Sequence, residues 1–129
     1  MKSIRRLMTI LSILILSFAW VPAALAHPLG NFTINHYAGL HVSRSAVSID
    51  YVLDMAEIPA FQEIAVFDAN QDGRLDPSEA GMYHASKCAS LRTDLQLVFN
   101  DVPATLTLTG SSVEFPAGAG GLPTLRLTC

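Results

Sequence analysis

Residues 68–79 read DANQDGRLDPSE, four acidic side chains and two amides gathered around Gly73 in a chain that is only 15 % charged. Packing carboxylates this closely costs repulsion unless a cation lies between them. Counted from Asp68, the stretch sets Asp68 at position one, Asn70 at three, Asp72 at five, Gly73 at six, Arg74 at seven, Asp76 at nine and Glu79 at twelve. That is the spacing D-x-[DN]-x-[DN]-G-x₅-E of an EF-hand calcium loop, met at every fixed position. The chemistry explains the letters. Ca²⁺ takes six to eight hard oxygens, the odd positions turn side-chain oxygens inward, and a glutamate at twelve reaches across to bind with two. Gly73 supplies a turn that a β-carbon obstructs. Arg74 is tolerated because position seven gives its backbone carbonyl and leaves the guanidinium to solvent.

A plainer reading competes with the metal. Asp76 can cap a following helix, Pro77 suits its first position, and Glu79 stands in a capping-box relation to Asp76. Capping accounts for Asp76 and Glu79 but leaves Asp68, Asn70 and Asp72 without a role. The expectation is therefore a Ca²⁺ site built from Asp68, Asn70, Asp72, Arg74, Asp76 and Glu79. Ca²⁺ is preferred to Mg²⁺ because a flexible, seven-oxygen set suits the larger ion. EF-hands commonly pair through position eight, and no second Asp-rich loop occurs in the chain. Leu75 must then pack on its own domain or on a second molecule, and affinity is expected at the weak, extracellular end, Kd of order 10⁻⁴–10⁻³ M.

The elements that position this loop begin after an expected leader. Lys2, Arg5 and Arg6 open the chain, Leu7 to Val21 is apolar save for Thr9, Ser12 and Ser17, and Ala24-Leu25-Ala26 follows Pro22. This reads as a signal peptide over 1–26, cleaved after Ala26, since the apolar run is shorter than the roughly 18–20 residues of a membrane span. The product, residues 27–129, is expected to be exported, to the periplasm or the outside. It carries five cationic against eleven acidic residues, a net of −6. Its cations are scattered, which disfavours nucleic acid as a partner. Cys88 and Cys129 both lie in this exported part; a disulfide between them and two free thiols remain equally compatible with the sequence.

Residues 31–55 alternate with a period near two and predict two or three antiparallel strands with a turn at Ser43-Arg44-Ser45. EIPAFQEIAVF changes the period: Ile58, Phe61, Ile64, Ala65 and Phe67 fall on one helical face. After the acidic loop a second helix is predicted from Pro77 to about Leu91, with Ala80, Tyr83, Lys87 and Leu91 along one side. LQLVFNDVPATLTLT alternates on both sides of Asn100-Asp101 and predicts a hairpin, and TLRLTC one more strand after the glycine-rich PAGAGGLP. The layout predicts an α+β domain: a small β-sandwich-like antiparallel sheet with an inserted, EF-hand-like helix–loop–helix over 57–91. The last strand stops abruptly at Cys129, which predicts truncation at the C-terminus.

Cleavage after Ala26 makes His27 the first residue. Its α-amine and imidazole together can chelate Ni²⁺, Co²⁺ or Cu²⁺, and His36, His41 and His84 are candidates to complete a second metal site. The stretch HPLGNFTINHYAGL directly after the leader, followed by IDYVLDMAEIPAFQE, resembles the extracytoplasmic N-terminal domain of bacterial membrane proteins of the nickel/cobalt transporter family. The resemblance covers residues 27–67 and, more loosely, LQLVFNDVPATLTL. It implies a soluble β-rich domain preceding transmembrane helices. The family's transport motifs lie in those helices and not in this chain, so a membrane transporter domain, continuing or associated, is the implied partner.

Nothing in the chain favours an enzyme: G-x-S-x-G and H-E-x-x-H are absent. Asp50, Asp54 and Glu57 form a carboxylate group beside Tyr51 on paper, although alternating acidic residues on a strand more often make a solvated face. The sequence therefore predicts an exported, non-enzymatic calcium-binding domain. Its alternative is a periplasmic domain that recruits or senses nickel or cobalt for a transporter, with the calcium ion structural.

Overall fold

The computed structural model describes residues 4–6, 8 and 32–129. The expected leader lies almost wholly outside them, as does His27. The described chain is α+β. Its elements run β1 (Ile34–Val42), β2 (Val47–Met55), α1 (Glu57–Phe67), α2 (Pro77–Asp94), β3 (Leu97–Phe99), β4 (Val102–Ala104), β5 (Ser112–Glu114) and β6 (Leu125–Thr128). Four strands form an antiparallel sheet in the order β1-β2-β6-β5, and β3 and β4 form a separate two-stranded hairpin.

β1 and β2 pair along their full length, from Ile34 opposite Met55 to Val42 opposite Val47. The turn between them is closed by Ser43, whose N–H and hydroxyl both donate to the carbonyl of Ala46. Alternation then divides β2 by face. Tyr51, Leu53 and Met55 are buried, while Val52 and Asp54 on the other face are not. β6 repeats the pattern with Leu125 and Leu127 buried opposite Met55 and Leu53. The helices cover that face, adding Ala60, Tyr83 and Cys88 to one apolar cluster.

Helix α1 has the bounds that its period predicts, but it buries a different arc. Glu57, Pro59, Ala60 and Ile64 are buried, whereas Phe61 is 52 % exposed. The reason is supply: α1 carries apolar residues around most of its circumference, and only the arc against β2 and α2 finds partners. Helix α2 runs three residues further than expected, with Tyr83 and Cys88 as its buried residues apart from Glu79. The Phe67 and Tyr83 rings meet edge to face, centroids 4.8 Å apart, and join the end of α1 to the second turn of α2. Lys87 donates to Glu63 at 2.6 Å across the same helix pair.

Cys88 and Cys129 are joined as a disulfide with Cα atoms 5.6 Å apart. Position in the chain is misleading here. Although Cys129 is the last residue, β6 lies between β2 and β5, and Cys129 exchanges both backbone hydrogen bonds with Tyr51. The bridge therefore ties α2 to the middle of the sheet.

Candidate metal centre

The loop between α1 and α2 is shaped by its own side chains. Asp68 ends α1, its N–H donating to the carbonyl of Ile64 at 2.9 Å. The chain then enters left-handed backbone twice, at Gln71 (φ 61°) and at Gly73 (φ 82°). Only at Gly73 is that conformation free of cost, and it makes the sharp turn at position six. Asp68 holds the turn from within: Oδ2 accepts from Gly73 N–H at 2.7 Å and Oδ1 from Asp72 N–H at 3.2 Å. Asn70 Oδ1 also accepts from Asp72 N–H, and Asp72 Oδ1 accepts from Arg74 N–H, both at 2.9 Å. These are the local side-chain-to-backbone bonds that Asp and Asn form in turns.

The exit is capped on both sides. Asp76 Oδ1 accepts from the N–H groups of Ser78 and Glu79, and Glu79 Oε2 returns the bond by accepting from Asp76 N–H at 2.9 Å. Glu79 does more than cap. Its Oε1 accepts from Ala69 N–H at 2.8 Å and from Asn70 N–H at 3.3 Å, so one carboxylate spans the loop from its last position to its second and third. This carboxylate belongs to a residue only 5 % exposed, whereas Asn70, Asp72, Arg74 and Asp76 are exposed. Leu75, at position eight, packs against the domain's own core cluster.

The donor set consists of carboxylates and one amide, oxygen throughout, and its chemistry fits a hard divalent cation. The oxygens are nevertheless directed onto backbone N–H groups, and among the described residues no three His, Cys, Asp or Glu side chains stand gathered around one point as metal ligands. A carboxylate offers about four lone-pair sites, so both oxygens of Asp68, Oδ1 of Asp72 and Oε2 of Glu79, each with one N–H bond, can accept again, whereas Glu79 Oε1 and Asp76 Oδ1 already take two.

The histidines are dispersed. His36 Nδ1 bonds the Tyr51 hydroxyl on the helix-covered face of the sheet. His41, five residues along the same strand, bonds Asp50 at 2.8 Å on the opposite face. One ion cannot reach both across β1, and His27 lies outside the described residues. His84 meets Ser111 at 2.8 Å, away from either.

The three carboxylates near Tyr51 are also apart. Asp54 takes a bidentate pair from Arg126 at 2.7 and 2.8 Å, and that hydrogen-bonded guanidinium holds its carboxyl below the usual range. Asp50 shares the exposed face but pairs with His41, while the buried Glu57 accepts from Ala119 N–H at 2.8 Å. The Tyr83 hydroxyl is buried without a hydrogen-bond partner among the described residues. Burial, and secondarily the nearby Glu63 carboxylate, raise its pKa far above that of an ordinary phenol. The sequence signals neither environment, because each depends on which helix faces which strand.

Compared with models of protein families, with curated proteins and with solved structures, the chain gives no match.

Proposed function

We propose that this protein is an exported, non-enzymatic calcium-binding domain in which Asp68, Asn70, Asp72, Asp76 and Glu79 hold Ca²⁺ by side-chain oxygens and Arg74 by its carbonyl. The observation that carries the reading is the coincidence of pattern and backbone. The six spaced positions of the loop are filled by the required residue types, and its one obligatory glycine sits at φ 82°. Glu79 reaching back to Ala69 supports it further, because that reach brings position twelve across to position two. A helix cap needs only Asp76 and Glu79, and Asp68, Asn70 and Asp72, which hold the turn through the loop's own N–H groups, add three further oxygen-bearing side chains at the spaced positions. The ion acts as a brace between α1 and α2, joining elements that already share the Phe67–Tyr83 contact. Calorimetric titration of Ca²⁺ into the wild type and into Glu79→Gln tests the assignment.

The resemblance of residues 27–67 to the front domain of nickel/cobalt transporters supports a second reading, in which the domain gathers Ni²⁺ or Co²⁺ at His27. The α-amine and imidazole of that residue suit such ions better than the oxygens of the loop do. Calcium is the conclusion because its donor set is contiguous, whereas His36 and His41 occupy opposite faces of β1.

A further inference from the structure

We draw no further inference here: the strongest candidate, the apolar cavity of about 740 Å³ between β2, the C-terminal half of α2 and residues 105–111, carries none because nothing in the structure shows what covers it.

Discussion

Glu79 Oε1 accepts a hydrogen bond at 2.8 Å from the backbone N–H of Ala69, ten residues earlier. The last position of the acidic loop is thereby fastened to its second, and α2 to the end of α1. The bond is short in space and long in sequence, which makes the loop a closed ring whose rim is carboxylate and amide oxygen. A cation held at that rim acts on both helices together.

Calcium should therefore raise stability more than it changes shape. One site with Kd near 10⁻⁴ M in about 10⁻² M Ca²⁺ contributes about 2.7 kcal/mol by mass action. For a domain of this size that corresponds to a rise in Tm of roughly 10–20 °C. Differential scanning fluorimetry in Ca²⁺ and in EDTA measures it, and an unchanged Tm contradicts the account. Circular dichroism in the far ultraviolet should be nearly the same in both.

The disulfide closes a loop of 41 residues and holds β6 in the sheet. Replacing both partners, Cys88→Ser with Cys129→Ser, should cost about 4 kcal/mol by loop-closure entropy. Because Cys88 is 1 % exposed, the cost should exceed that of reduction alone, since the hydroxyl of serine is buried in its place. Guanidinium unfolding of the oxidised, reduced and double-serine forms orders the three; equal midpoints contradict the prediction.

The loop and α1 are legible in the sequence because each rests on local requirements. Every fixed position of 68–79 is dictated by ligand chemistry or turn geometry, and 57–67 changes period between two clear boundaries. The buried arc of α1 is less legible. Phe61 fits the apolar stripe as well as Ala60 does, and only the placement of β2 and α2 decides between them. The disulfide is illegible for the same reason, since the last residue of a chain looks frayed until β6 is known to lie between β2 and β5. β5 has three residues, too few to show a period, and exists because β6 offers it a ladder. The converse holds at 105–111: the strand pattern is present, and the neighbour that would make it a strand is not among the described residues.

His27 gives the sharpest separation between the two functional readings. If the mature N-terminus handles a transition metal, its α-amine and imidazole bind Ni²⁺ or Cu²⁺ together. One residue added before His27 turns the amine into an amide and should abolish that binding, with the fold and the Ca²⁺ loop untouched. Ni²⁺ titrated into both forms with Ca²⁺ present reads it out. Equal binding, or none in either form, leaves His27 without a metal role and removes the support for nickel or cobalt recruitment.

Calorimetric titration reads Ca²⁺ binding by residues 68–79 without an intermediary. Wild type should bind one Ca²⁺ with Kd of order 10⁻⁴–10⁻³ M. Glu79→Gln should weaken binding at least about tenfold, since it removes a charge and half of a two-oxygen contact. Asp72→Asn, at an exposed position whose Oδ1 still accepts from Arg74 N–H, should weaken it while leaving the melting temperature in EDTA unchanged. Equal Ca²⁺ affinity in the three proteins, or no binding heat from the wild type at millimolar Ca²⁺, contradicts the assignment and leaves Asp76 and Glu79 as helix caps alone.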